Sequence, residues 1–107
     1  MNENRGAKVG KVYVIGIITI TNPEGYKAYA IKVPQTIAAA GGRYLVRGGA
    51  ATLLEGKKLG ERHVVLEFPS RKAAEDWYNS PAYQSILPHR KNNSTGTLEL
   101  VEGFETV

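Results

Sequence analysis

The chain has 107 residues, a formal net charge of +4 and no cysteine. This length fits one domain, and the 42% hydrophobic and 22% charged residues are ordinary for a soluble globular protein. The lack of cysteine excludes disulfides, a thiolate nucleophile and a thiolate metal site, and it suits the reducing cytoplasm, where we expect the protein.

Half of the net positive charge lies in the N-terminal segment. Residues 1–11 carry Arg5, Lys8 and Lys11 against Glu3, a balance of +2 that leaves +2 for the rest of the chain. Elsewhere no basic cluster is interleaved with aromatic residues, which is what tracking of a phosphate backbone would need. We therefore expect no nucleic-acid partner.

The first ten residues have no apolar core of signal-peptide length. We interpret residues 1–10 as a flexible tail and residues 11–107 as a single domain. The longest apolar run, Val12 to Ile18, is too short to span a bilayer, so we expect no membrane partner.

The first predicted element is a strand at Val12 to Ile20. Its β-branched, almost uniformly apolar residues are typical of a strand buried on both faces. Helices can cover one face of the sheet in so small a domain, and a second subunit would then cover the other.

A helix is predicted to begin after Asn22, because Asn22 can cap it, Pro23 suits its first position and Glu24 complements its dipole. Its apolar stripe is Tyr26, Tyr29, Ala30, Val33, Ile37 and Ala40. Pro34 interrupts the pattern and predicts a kinked or split helix, since a straight one would cost roughly 3 kcal/mol. Such a kink can free a carbonyl for a ligand, and a simple packing bend is the alternative.

Two glycine pairs bracket the next strand, Gly41-Gly42 before it and Gly48-Gly49 inside a longer run from Arg43 to Leu54. The first pair predicts a helix end and the second a bulge. Alternation places Arg43, Leu45 and Arg47 on one face. Either both arginines reach solvent or carboxylates, or the bulge redirects Arg47 into a cavity.

A polar turn at residues 55–61 leads to a returning strand at His63 to Phe68, with Val64, Leu66 and Phe68 on one face. If the other face is enclosed, Glu67 needs a cation. An Arg47–Glu67 pair is therefore a hypothesis, and it fails if the two side chains lie on opposite faces of the sheet.

The second half repeats the helix-then-strand order. Ser70 caps a helix with Ala73, Ala74, Trp77 and Tyr78 inward, and Ser80-Pro81 starts a shorter one that gives way to a polar loop at residues 88–93. The last strand is predicted at Thr97 to Phe104. The order is βαββαβ, an α+β ferredoxin-like fold with a four-stranded antiparallel sheet and its helices on one face. Two such sheets facing each other would give a homodimeric α/β barrel.

Several segments resemble those of a small bacterial family, the domain-of-unknown-function family numbered 1330, over residues 11–104. The shared segments are Tyr13-Val14-Ile15, Asn22-Pro23-Glu24-x-Tyr26-x-x-Tyr29, Gly41-Gly42-Arg43-Tyr44-Leu45-Val46-Arg47-Gly48-Gly49, Glu67-Phe68-Pro69-Ser70, Ala73-x-x-x-Trp77-Tyr78-x-Ser80-Pro81-x-Tyr83 and Val101-Glu102-Gly103. The resemblance implies the dimeric α/β barrel superfamily, which includes antibiotic-biosynthesis monooxygenases, chlorite dismutase-like proteins and muconolactone isomerase-like enzymes. Asn79 stands where the resemblance suggests an acidic residue.

The residues predicted to bind a ligand are Arg47, Trp77, Tyr83 and Arg90. The two arginines can fork onto a carboxylate, and the aromatic residues supply apolar walls with polar tips, although Trp77 and Tyr83 are more often core and interface residues. His89 and Glu67 are the candidate general bases, with a solvated loop histidine as the alternative for His89. We expect no cofactor, and no histidine pair or carboxylate motif predicts a metal site.

Three functions remain open from the sequence. The first is a homodimer that binds a small organic acid or aromatic metabolite beside the sheet. The second is a cofactor-independent monooxygenase or isomerase in which Arg47 stabilises an enolate-like anion. The third is a structural or interaction module without chemistry.

Overall fold

The computed structural model describes residues 10–104, so residues 1–9 of the predicted tail and the last three residues lie outside the described part. Seven helices and strands follow one another along the chain. They are β1 (Val12–Ile20), α1 (Pro23–Ala39), β2 (Arg43–Arg47), β3 (Arg62–Phe68), α2 (Arg71–Asn79), α3 (Pro81–Lys91) and β4 (Ser94–Glu102). No helix in this part of the chain is long and apolar enough to cross a membrane.

The four strands form one antiparallel sheet in the order β2-β3-β1-β4. This order and the helical crossovers confirm the predicted ferredoxin-like βαββαβ fold. In β1, Val12, Val14 and Ile18 are at most 3% exposed and belong to the core beneath the helices. The alternate residues Tyr13 and Ile15 lie on the other face and are only half-buried.

Helix α1 begins as predicted, with the Asn22 side chain accepting a hydrogen bond from the Gly25 amide. It ends before Gly41, whose φ of +83° is the left-handed conformation that glycine adopts readily. The helix runs across Pro34 without being split. Buried residues on both sides of the proline hold the two halves against one core, so tertiary packing outweighs the local penalty.

Ser70 and Ser80 each accept a hydrogen bond from an amide three residues on, and they cap α2 and α3 as predicted. The prediction of a polar loop from Pro88 onward was wrong, because α3 continues to Lys91. Leu87 and Arg90 are buried one turn apart, and their packing extends the helix through the proline.

Strand β2 is shorter than predicted and its bulge lies elsewhere. Residue pairing with β3 shifts between Tyr44 and Val46, so the bulge is at Leu45, and the strand ends at Arg47. Gly48 has a φ of +68°, which turns the chain out of the sheet. Residues 48–61 form a connection without regular strand, which replaces the second half of the predicted run.

Candidate functional site

A small cavity of about 30 Å³ lies between the sheet and helices α1 and α3. This volume holds about two waters. Three arginines from three different elements reach its wall, together with tyrosines and the single tryptophan. The charged and aromatic residues of the wall are Arg47, Arg62, Arg90, Tyr26, Tyr29, Tyr44 and Trp77.

Arg90, in the last turn of α3, is 8% exposed although it carries a charge. Its guanidinium carbon lies 5.9 Å from the ring centroid of Tyr29, and its buried Nε has no hydrogen-bond partner among residues 10–104. No carboxylate in this part of the chain forms an ion pair with it. Its partners are neutral, a side-chain hydrogen bond with Tyr83 and the ring of Tyr29, so Arg90 is a buried cation without a counter-charge among residues 10–104.

Arg62 opens β3 and enters the cavity from the sheet side. Its Nε is also buried and without a partner in the described chain, and its guanidinium carbon lies 6.0 Å from the Tyr26 ring. A side chain at position 48 would collide with the guanidinium of Arg62, so glycine at this position leaves the space that Arg62 occupies. The glycine predicted to mark a bulge thus leaves room for a second cation.

The tyrosines around these arginines are neutral at physiological pH. Burial raises the pKa of Tyr29, and its 2.9 Å hydrogen bond to the Tyr83 hydroxyl raises it further. Burial likewise raises the pKa of Tyr44, and it raises that of Tyr26 despite the opposing charges of Arg62 and Arg90. The phenols therefore supply hydrogen-bonding groups and no negative charge.

Arg47 reaches the same cavity from β2 because of the bulge at Leu45. It pairs with Val64 on the helix side, donates a 2.7 Å hydrogen bond from Nη2 to the Ala30 carbonyl of α1, and stacks 4.8 Å from the Tyr44 ring centroid. Arg47 nevertheless remains an exposed residue. Of the two interpretations left open from the sequence, the geometry agrees with a redirected Arg47, although the bulge responsible lies at Leu45 and not at the glycine pair.

The predicted Arg47–Glu67 pair was wrong, since the two residues lie on opposite faces of the sheet. Glu67 pairs across the strands with Arg43, which bonds its carboxylate at 2.9 Å. Tyr13 donates to the same carboxylate at 3.3 Å, and Lys11 lies 3.7 Å away. The hydrogen bond from Arg43 holds the pKa of Glu67 below its usual range.

The other candidate base, His89, is exposed on α3 and does not line the cavity. His63 lies on the open face of the sheet, opposite Ile17 of β1. Residues 10–104 contain no cluster of three or more histidines or carboxylates suited to a metal ion. Neither candidate base therefore faces the three arginines.

Of the predicted ligand-binding residues, Arg47, Trp77 and Arg90 meet at the cavity. Tyr83 lies behind the wall, fully buried, with its ring centroid 4.3 Å from that of Trp77. Sequence reasoning missed Arg62 altogether, because a lone arginine at a strand end has no distinguishing pattern. Tyr26 and Tyr29 were interpreted only as core residues. Their hydroxyl groups, in an otherwise aliphatic stripe, were the signal that could have placed them at a site.

A larger cleft, about 240 Å³, opens between α2 and β4. Trp77 and Leu98 line both the cleft and the small cavity, and they separate the two. Tyr78 and Asn79 form the outer wall of the cleft. A compartment lined by three arginines and a mainly apolar cleft, which Glu75 and Glu99 also line, therefore share these two side chains.

Solved structures confirm the fold. A protein of unknown function from Rhodopseudomonas palustris superposes with a TM-score of 0.73 at 16% identity, covering 99% of this chain and 96% of that one. SnoaB, a cofactor-independent oxygenase from Streptomyces nogalater, gives 0.61 at 15% identity over 92% and 97%. A Mycobacterium tuberculosis protein gives 0.54 at 19% over 91% and 98%. At such identities the likeness establishes the fold alone.

No curated protein matches the sequence significantly. The sequence profile of one family does match, and it spans residues 11–104, which include every strand and helix described above. The predicted resemblance is thereby confirmed, and the chain belongs to the domain-of-unknown-function family DUF1330.

Proposed function

We propose that the protein is a homodimer that binds a small organic acid in the arginine- and tyrosine-lined cavity. The observation that carries the proposal is Arg90, a buried guanidinium with no carboxylate partner among the described residues. Arg62 adds a second unpartnered Nε at the same cavity.

Burying an unpaired charge is costly, and proteins normally offset the cost with a counter-ion and hydrogen bonds. Because the surrounding tyrosines are neutral, the missing negative charge would come from outside the described residues, and we assign it to a ligand. A carboxylate accepts hydrogen bonds at two oxygens, which suits guanidinium donors. The ligand proposed is therefore an acid rather than a neutral metabolite.

The volume of the cavity suits the acid group alone. About 30 Å³ holds a carboxylate, whereas pockets for whole metabolites span about 300–1,000 Å³. An aromatic or aliphatic body would extend past Trp77 and Leu98 into the adjoining cleft of about 240 Å³. In this arrangement Arg47, Arg62 and Arg90 bind the acid and Trp77 contacts the body, with Tyr83 supporting both through its contacts.

The binding test uses matched substitutions in one helix. Arg90→Met should abolish the increase in melting temperature that benzoate or phenylacetate gives the wild-type protein, measured by circular dichroism. Lys91→Met, an exposed neighbour, should leave the increase intact. An equal effect of acids on both variants would contradict the proposal, and no effect of any acid on the wild-type protein would favour a structural module.

The homodimer proposal is supported by the open face of the sheet. Tyr13, Ile15, Ile17 and Val65 form an apolar strip there that the protein's own helices do not cover. A second copy would bury it. Ile15→Lys should convert the dimer to a monomer in sedimentation equilibrium, whereas Ile31→Lys, on an exposed position of α1, should not. A monomeric wild-type protein would contradict the homodimer proposal. We place the dimer in the cytoplasm.

A cofactor-independent monooxygenase is the second candidate, and the fold shared with SnoaB supports it. Guanidinium groups in a water-poor cavity stabilise an enolate or phenolate formed from a bound substrate. His89 and Glu67 lie away from the cavity, so this candidate needs another base. Oxygen consumption with phenolic acids, lost in Arg90→Met, would select it over simple binding.

A further inference from the structure

The carbonyl of Ala30 lacks its usual helical partner. In an α-helix each carbonyl accepts from the amide four residues on, and for Ala30 that residue is Pro34, which has no N–H. Ala30 is part of the cavity wall, so this acceptor is available at the cavity. Arg47 takes it, with Nη2 donating at 2.7 Å.

Arg47 is also the most exposed residue of the charged wall. Tyr26, Tyr29, Trp77 and Arg90 are all at least nine-tenths buried, whereas Arg47 is exposed. Its hold on α1 is the hydrogen bond to Ala30, supported by stacking on Tyr44. A ligand larger than two waters would enter most readily by displacing Arg47.

Displacement of Arg47 exposes the Ala30 carbonyl to the ligand. A ligand that covers this carbonyl without donating to it removes the acceptor's hydrogen bonds to water and to Arg47, so a ligand that brings its own donor is favoured. The carboxylate of such a ligand would face Arg62 and Arg90, the displaced guanidinium of Arg47 would bind it from the exposed side, and a hydroxyl beside it would donate to Ala30.

We propose that the ligand is a hydroxy acid, and that the Pro34-freed carbonyl of Ala30 selects its hydroxyl group. The inference rests on the proposed acid-binding function and adds a second recognition point to it. Pro34 is the positioning residue in this arrangement, because its missing amide leaves the acceptor open.

The test compares acids that differ by one hydroxyl: salicylate with benzoate, and mandelate with phenylacetate. In the wild-type protein the hydroxy acid of each pair should bind about three- to tenfold more tightly by isothermal titration calorimetry. Pro34→Ala supplies an amide to Ala30 and should reduce that ratio to about one, while benzoate itself still binds.

Two further variants complete the test. Pro88→Ala makes the same change in α3, away from Ala30, and should keep the hydroxyl preference. Arg47→Ala leaves Ala30 without a donor, so the preference should persist or grow. Equal affinities within each wild-type pair, or a preference that survives Pro34→Ala, would overturn the hydroxyl inference alone. Failure of every acid to bind would instead overturn the proposed function.

Discussion

Two charged groups on opposite faces of the sheet have opposite surroundings. Glu67, on the open face, is bonded by Arg43 and Tyr13 and approached by Lys11. Arg90, on the helix side, is more deeply buried, and its Nε has no partner among residues 10–104. Glu67 thus has the surroundings of an ion with a structural role, whereas Arg90 has those of a ligand-binding group.

This difference distinguishes a charge that stabilises the fold from a charge that we expect to bind a ligand. A charge paired with the protein's own opposite charges contributes to folding, and a buried charge without a counter-ion costs folding free energy until a ligand supplies one. Substitutions of Glu67 and Arg90 should therefore change the free energy of unfolding in opposite directions.

The largest expected effect is on the helix side. Arg90→Met removes the unpaired cation and fills its space with an apolar chain, so the free energy of unfolding without ligand should rise by about 1–2 kcal/mol. For a domain of this size each kcal/mol raises the melting temperature by about 4–8 °C. Tyr83 keeps its hydrogen bond to Tyr29 in the variant. A clear loss of stability, measured by urea unfolding, would show that Arg90 is structural like Glu67.

Gly48→Ala should displace the second cation. Alanine at a φ of +68° costs about 1–2 kcal/mol, and its methyl group would collide with the Arg62 guanidinium. Stability and benzoate affinity should therefore fall together. Gly56→Ala is the control, because Gly56 also has a positive φ, +89°, but has open space around it. If Gly56→Ala loses as much benzoate affinity as Gly48→Ala, displacement of Arg62 is not the cause of the loss.

The buried tyrosines should make the helix side sensitive to alkali. Burial raises the pKa of Tyr29, so the folded state retains a proton that the unfolded chain loses near pH 10. Stability is therefore fully present below pH 10 and should decline above about pH 10. Tyr29→Phe should reduce this slope, measured as unfolding free energy against pH. An unchanged slope in the variant would mean that other groups cause the decline.

The smallest effect is expected on the open face and has the opposite sign with pH. Because Arg43 lowers the pKa of Glu67, the stabilisation is present above about pH 4 and lost as the pH falls through the lowered pKa. Glu67→Gln should lower the melting temperature slightly at pH 7, and the difference from wild type should vanish in acid. If Glu67→Gln instead stabilises the protein, the proposed contrast between the two faces of the sheet is wrong.

Much of the fold was predictable because it depends on local signals. Apolar alternation, the Asn22 and Ser70 caps and the glycine helix end each act within a few residues. Wrong predictions arose where long-range packing decided. Burial of Arg90 extends α3 past Pro88, and the register with β3 puts the bulge at Leu45 rather than at the glycines.

The candidate site was predictable only in part. Arg47, Trp77 and Arg90 were singled out and do meet at one cavity, but Arg62 was not. Its role depends on the sheet register and on the space that Gly48 leaves, neither of which is visible in a single sequence. The Arg47–Glu67 hypothesis failed for the same reason, since one bulge moved Arg47 to the other face.

Trp77 gives this site its own optical reporter. It is the only tryptophan in the chain, is 2% exposed, and lines both the charged cavity and the apolar cleft. Its indole nitrogen donates a 3.0 Å hydrogen bond to Thr36. Any molecule that fills either compartment changes the surroundings of this one fluorophore, so its emission wavelength and quenching follow occupancy without a label.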